Sequence, residues 1–237
     1  MADTSFHYHI PEKAWRYALP RDVVDRLHIR KYGAHGTSHR YIWRTANEFL
    51  KGEVHRLVSC HLGSGASLSA IKDGRDMDTT MGLTPLDGLI MGTRCGSIDP
   101  ATVCYLVREG GYTIDEVDTM MNKQSGLRAL SAVSSDSRDI EEAAERGDRN
   151  CQMALDMFCY RAGQLIAEMA QSMHGFDTMA FSAGIGENSD VLRAGVAREL
   201  EWLGVSLDPK KNELRSDDPR VISTEDRKST RLNSSHP

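Results

Sequence analysis

An arginine set among glycines, Met91-Gly92-Thr93-Arg94-Cys95-Gly96, and a glycine pair following a histidine, His61-Leu62-Gly63-Ser64-Gly65-Ala66-Ser67, are the segments of this chain best suited to handling phosphate. Missing side chains let backbone N–H groups come close to phosphate oxygens, and a guanidinium offers a planar fork of donors. Neither segment decides alone. Gly63-Ser64-Gly65 also fits an ordinary hairpin corner, and most single arginines form surface ion pairs. The dinucleotide fingerprint is excluded, because the third glycine and the following helix are missing, and no G-x-x-x-x-G-K-[ST] occurs. His35 and His39 lie four apart, but Gly36 stands where a zinc-protease motif requires glutamate. A polar loop histidine or a phosphate donor fits better than a metal pair. Ser182-Ala183-Gly184-Ile185-Gly186-Glu187-Asn188-Ser189 lies between a predicted strand and a predicted helix, an order that suits anion contact at a helix start.

The elements that must hold these segments follow from periodicity. A helix-like stretch covers residues 21–27. Thr37 or Ser38 is a candidate cap for a helix running to about residue 51, with Tyr41, Ile42, Ala46, Phe49 and Leu50 on one face. Residues 54–61 read as a buried strand, residues 67–71 alternate with period two, Asp73-Gly74 gives a hairpin turn, and residues 75–80 form a third extended piece. The glycine loop therefore sits at the first corner of a β-meander. Beyond it helices dominate: Asp99 caps one that opens on Pro100, Thr113-x-x-Glu116 is a capping box, and residues 136–146 and 150–174 carry apolar residues three and four apart. A strand over 177–182, a glycine turn over 183–187, and a helix capped by Asn188 or Ser189 and reaching about residue 203 complete the pattern.

Composition bounds the rest. With 40% apolar residues in 237, the chain buries a real core and makes one large domain or two small ones. The 29 basic and 34 acidic residues nearly balance, with no basic stripe among aromatics, so no nucleic-acid partner is expected. Apolar runs fall short of the roughly 18–20 residues that span a bilayer, and no leader pattern opens the chain, so a cytoplasmic location and no membrane contact are expected. The five cysteines are widely spaced without a C-x-x-C pair, which predicts packed free thiols and neither a disulfide framework nor a zinc site. The eleven methionines read as core filler.

The order of motifs adds what no single motif supplies. His35-Gly-Thr-Ser-His39, His61 to Ser67, Met91 to Gly96 and Ser182 to Ser189, together with Asp3-Thr4-Ser5-Phe6-His7, Tyr32-Gly33 and Met81-Gly-Leu-Thr-Pro-Leu86, resemble the acetate/propionate kinase family over residues 3–225. That family lies within the superfamily of acetate and sugar kinases, heat-shock chaperones and actin. The resemblance implies an α/β fold, a ribonuclease-H-like lobe with a mixed sheet flanked by helices. Residues 1–225 would be the second, C-terminal lobe, without the N-terminal lobe. The implied reaction is in-line transfer between ATP and acetate, giving acetyl phosphate and ADP with Mg2+, a chemistry of positioning and charge neutralisation.

Carried over residue by residue, the resemblance makes Arg94 and His35 the holders of the phosphoryl group in flight, and Asp3 an aid to magnesium or the carboxylate. His61, Gly63, Ser64 and Gly65 would contact ATP phosphates. Asp136, Ser137 and Arg138 match an adenosine-contact stretch, and Gly184, Ile185, Gly186 and Asn188 match a loop against the nucleotide. Pro85 and Ala34 match the apolar wall around the substrate methyl. Ala34 replaces a phenylalanine and Ser137 an aromatic. The larger pocket gives propionate more room, although such a change discriminates by only about 1–3 kcal/mol. A homodimer is implied, as is inactivity of the isolated lobe. Other readings are a butyrate-type kinase, or a non-catalytic nucleotide-binding and dimerisation module. Residues 226–237 read as translated sequencing adapter, with the natural chain continuing past Glu225.

Overall fold

The computed structural model describes residues 3–216 and 218–224, so the expected non-native tail at 226–237 lies outside the described residues. A 3-10 turn at Ser5–His9 and two short helices, α1 (Glu12–Trp15) and α2 (Arg21–Leu27), lead to α3 (Gly36–Phe49). The meander follows as β1 (Arg56–Leu62), β2 (Ala66–Lys72) and β3 (Arg75–Thr79). Next come helices α4 (Ala101–Arg108), α5 (Ile114–Lys123), α6 (Gly126–Ser131), α7 (Ser137–Glu145) and α8 (Arg149–Ser172). Strand β4 (Thr178–Ser182), α9 (Ala183–Asn188), α10 (Asp190–Glu199), a 3-10 turn (Glu201–Leu203) and α11 (Pro209–Glu213) close the order.

The sheet runs β3-β2-β1-β4, antiparallel within the meander and parallel between β1 and β4. This is the expected mixed α/β sheet flanked by helices. Both residues of the Asp73-Gly74 turn have positive φ, 47° and 79°, the geometry that closes a two-residue hairpin without splaying its strands. Strand alternation then sends Val58, Cys60 and Leu62 of β1, with Leu68 and Ala70 of β2, to a core shared with Phe158, Ala162 and Ile166 of α8. Burying each of the larger of these side chains contributes about 1.5–3 kcal/mol. The opposite face carries Leu57, Ile71 and Ala180 against Ile42 and Ala46 of α3, but only at one end. At the other end of that face the strands present Ser59, His61, Ser67, Ser69 and Asp76, and polar groups must meet polar groups there.

Local signals held where capping was local. Thr113 and Glu116 form both halves of the capping box on α5, Asp136 caps α7, and Ser189 rather than Asn188 caps α10. Asp99 Oδ1 accepts the N–H of Ala101 at the start of α4. Two expectations fail. The segment 183–187 is not a turn but the helix α9, entered through Ala183 at φ 63°. Neither Thr37 nor Ser38 caps α3. Its N-cap is His35, held left-handed at φ 58°, and Asp3 supplies the acceptors from elsewhere in the chain, taking the His35 N–H on Oδ2 at 2.7 Å and the Gly36 N–H on its carbonyl at 2.9 Å. The five cysteines are free, and Cys60, Cys151 and Cys159 are buried as expected. Among the described residues, no helix is long and apolar enough to cross a membrane.

Candidate active site

The parallel strands β1 and β4 end side by side, with His61 registered opposite Ser182, so the loops that follow them open on one cleft. The start of α3 reaches the same place. His35 stacks on His61 with ring centroids 4.2 Å apart, and His61 Nδ1 bonds the Ser38 hydroxyl at 2.8 Å. Ser38, the third residue of α3 and so past its cap position, thus anchors a site histidine.

Arg94 arrives from a loop stitched into the scaffold by its backbone. Gly92 N–H donates to the carbonyl of Ser64 in the glycine corner, and the N–H groups of Leu127 and Arg128, at the start of α6, donate to Met91 and Gly92. The guanidinium ends at the glycine loop. A methyl group placed on Gly65 would lie 3.3 Å from Arg94 Nη1 and 3.5 Å from His35 Cε1, so a single missing side chain leaves the space these two groups face. Among the described residues the Arg94 side chain has no carboxylate partner. Its hydrogen bonds are long ones from Nη1 to the Pro85 carbonyl (3.4 Å) and Met91 Sδ (3.5 Å). A half-buried cation whose Nη1 meets only weak acceptors is poised for an anion. Burial lowers the His35 pKa, with nearby Asp3 opposing the shift and Arg94 adding to it. The imidazole is neutral at pH 7.

Beside this point lies a cleft of about 900 Å³. Gly63 and Ser64 form one wall, Asp136, Ser137 and Arg138 at the start of α7 another, and Gly184, Ile185 and Asn188 of α9 a third. Nothing stands within 4 Å of a methyl group built on Gly184, so that glycine borders open space. The Asp136 carboxylate takes a two-pronged bond from Arg138, Nε at 3.0 Å and Nη2 at 2.6 Å, which with the capping N–H holds its pKa at about 2.

The structure thus brings together His35, His61, Gly63, Ser64, Gly65 and Arg94 at one end, and Asp136, Ser137, Arg138, Gly184, Ile185 and Asn188 at the other. Gly186 does not join them. It lies on the buried side of α9 against Phe181, and its neighbourhood reads as helix-on-strand packing. Pro85 is exposed beside Arg94, while Ala34 is buried in the main core with its carbonyl accepting from His7 Nε2 at 2.9 Å. Asp3 stands at the α3 start with one oxygen committed to His35 N. No cluster of three or more metal-ligating side chains occurs among the described residues. Any divalent ion here would therefore depend on ligand oxygens, as magnesium bound to a phosphate chain does. His39 is fully buried and forms neither half of a metal pair.

Sequence reasoning missed Glu141, which lines the cleft from α7 and accepts a hydrogen bond from the Ser189 hydroxyl at 2.8 Å. Its pKa is raised by burial. It also missed the network behind the site, where His7 bonds Asp76 and His39 bonds Ser59 and Ser67. The period-two run of polar residues in the strands was its available signal.

The acetokinase family profile matches residues 1–233. The chain is 50% identical over 216 residues to acetate kinase 2 of Clostridium perfringens, covering 90% of this chain and 54% of that protein. It is 47% identical over 228 residues to acetate kinase of Oleidesulfovibrio alaskensis, covering 95% and 56%. Among solved structures, Porphyromonas gingivalis acetate kinase superposes with a TM-score of 0.93 at 38% identity, over 98% of this chain and 59% of that one. A propionate kinase from Francisella tularensis gives 0.93 at 35%, over 98% and 60%. The chain spans little more than half the length of the curated relatives it matches. A profile that fits nearly every residue, and relatives sharing about half of them, place this chain in the acetokinase family.

Proposed function

We propose that this chain forms the phosphoryl-handling and nucleotide-holding part of a kinase that transfers the γ-phosphoryl group of ATP to a short-chain carboxylate, acetate or propionate. The observation that carries the reading is the half-buried Arg94, without a carboxylate partner among the described residues, converging with His35 on the space above Gly65. In the reaction a carboxylate oxygen attacks the γ-phosphorus, the bond to the β-phosphate oxygen breaks, and acyl phosphate and ADP leave. No proton needs to move. The work is to hold charge as it spreads over the equatorial oxygens, and donors fixed in advance do that at low reorganisation cost. Arg94 and His35 serve those oxygens, His61 and the Gly63–Gly65 corner the remaining phosphates, and the cleft between α7 and α9 the nucleoside. Ala34 and Pro85 border the carboxylate. Bound magnesium would neutralise phosphate charge, with Asp3 the residue of this chain placed to orient it or the carboxylate.

The chain alone is expected to bind ATP without turning it over, the second reading that its coverage of the relatives favours. The exposed Tyr105 and Val107 of α4, a helix that buries none of its residues, favour a homodimer. Calorimetric titration of MgATP into the chain tests the site. Gly184→Val adds bulk where a Cβ meets no protein atom within 4 Å and should weaken ATP at least about tenfold; unchanged affinity, or none in the unaltered chain, refutes the assignment. Acetyl phosphate formation by the chain itself, lost in Arg94→Ala, would replace the binding-module reading with an autonomous enzyme.

A further inference from the structure

Behind His35 three fully buried side chains, Ser59, His39 and Ser67, serve no purpose in the reading above. They form a line: Ser59 Oγ to His39 Nδ1 at 2.8 Å, His39 Nε2 to Ser67 Oγ at 2.8 Å, and Ser67 Oγ to His35 Nδ1 at 2.9 Å. Each member has a fixed supply of protons. A hydroxyl carries one, and a neutral imidazole has one N–H and one lone pair. His39 is neutral, because complete burial and the neighbouring His7, His61 and His35 hold its pKa well below 6.5.

The direction of the line follows from its closed end. Among the described residues His39 Nδ1 is the single partner of the Ser59 hydroxyl, so the Ser59 proton goes there; the reverse arrangement strands a buried donor. His39 must then hold its own proton on Nε2 and donate it to Ser67. The proton of Ser67 is left for His35 Nδ1. A neutral His35 therefore carries its proton on Nε2, the nitrogen 3.6 Å from the methyl position of Gly65, on the side where Arg94 stands. Among the described residues that nitrogen has no partner.

We propose that Ser59, His39 and Ser67 are positioning residues, a proton-ordered line of hydrogen bonds that fixes the tautomer of His35 so that it meets its ligand as an Nε2–H donor. Calling that ligand a phosphoryl group rests on the functional reading; the tautomer does not. The line also resists a second proton on His35. An added N–H at Nδ1 would turn Ser67, then His39, and leave the Ser59 hydroxyl stranded. The other groups facing His35 are Asp3, which favours its charged form, Arg94 and His7, which oppose it, and the stacked ring of His61.

The test uses the 237-residue chain with 15N-labelled histidine. Two-bond 1H–15N spectra separate the two neutral tautomers and the cation, and a His35→Asn sample assigns the resonance. The unaltered chain should show His35 with Nε2–H favoured about tenfold or more between pH 6 and 8, the bias an unsatisfied buried hydroxyl imposes. Ser59→Ala should bring the two tautomers to comparable populations, and Ser59→Thr should restore the bias. A dominant Nδ1–H form or a cation in the unaltered chain overturns the proposal, as does full bias in a folded Ser59→Ala. Should Ser59→Ala not fold, Ser67→Ala breaks the line beside His35 and must lose the bias equally; retention there also overturns it. A chain that binds no ATP but keeps the His35 tautomer defeats the kinase reading alone, and mixed tautomers in a chain that binds ATP defeat this inference alone.

Discussion

Asp76→Ala should be the most damaging single truncation on the polar face of the sheet, and its cost should depend on pH in a set direction. Asp76 is buried with His7, whose Nδ1 lies 2.5 Å from Oδ2, and it accepts the Ser69 hydroxyl on Oδ1 at 2.6 Å. His7 Nε2 faces the Ala34 carbonyl, which only accepts, so that nitrogen must carry a proton and the second proton is shared with Asp76. Burial lowers the His7 pKa, but the bond to Asp76, its charge, and the Ala34 carbonyl outweigh burial and raise it above 6.5. Removing one partner of such a buried pair costs about 3–5 kcal/mol. At roughly 2–4 °C per kcal/mol for a chain of this size, the melting temperature should fall by about 6–20 °C. The raised His7 pKa means that the histidine's share of the stabilisation is complete below pH 6.5 and is lost as pH rises through the raised value, whereas burial also raises the Asp76 pKa, a cost already in place above the ordinary aspartate range. In Asp76→Ala the buried His7 loses its bonded carboxylate, leaving only the weaker influence of Asp3, and folds neutral, so the variant weakens as pH falls below 6.5. The gap between the two proteins must therefore widen from pH 8 to pH 5.5. Denaturant unfolding followed by tryptophan fluorescence at three pH values measures it. A gap below about 1 kcal/mol, or one that narrows toward acid, would refute this account of the pair.

Gly126→Ala tests the anchoring of the Arg94 loop: φ is 67° there, and a methyl group would meet the Met91 carbonyl oxygen at 2.1 Å and that of Arg94 at 2.8 Å. Left-handed strain alone should cost about 1–2 kcal/mol, with the collision added, so calorimetry should show a melting temperature lower by more than about 4 °C. Asp136→Ala should cost about 1 kcal/mol as a lost helix cap, while Arg138→Ala, whose side chain is 83% exposed, should change stability by less than that. In Arg138→Ala the Asp136 carboxyl should titrate nearer the ordinary aspartate range than its present value of about 2, read by carbon NMR. Because that pKa is depressed, the pair's small contribution exists above about pH 4 and fades as pH falls toward 2.

What was legible in the sequence was local. The Asp73-Gly74 hairpin, the Thr113 and Glu116 box, and the Ser189 cap of α10 each need only neighbours a few residues apart, and each formed. The start of α3 was misread because its cap comes from Asp3, 32 positions before His35, and no window along the chain contains both. The glycines at 184 and 186 resembled a turn, yet they lie in the helix α9, whose Gly186 faces Phe181 and the Cys60 carbonyl across the end of β1 and β4. The cleft joins segments more than a hundred residues apart, which motif order could suggest and periodicity could not. The buried network lies between these extremes. Ser59 and His61 in β1, Ser67 and Ser69 in β2, and Asp76 in β3 are polar at alternate positions, and such a stripe ordinarily reads as a solvent face. Once the hairpin register is fixed, however, the same strands place Leu57 and Ile71 on that face too, and an apolar end requires a covering helix. The helix that covers the apolar end must continue over the polar end, and of the residues preceding Ile42 and Ala46, His35, Ser38 and His39 fall on the covering side. A polar stripe closed by a helix start rich in histidine is then the expected outcome, and its burial follows from the register rather than from composition.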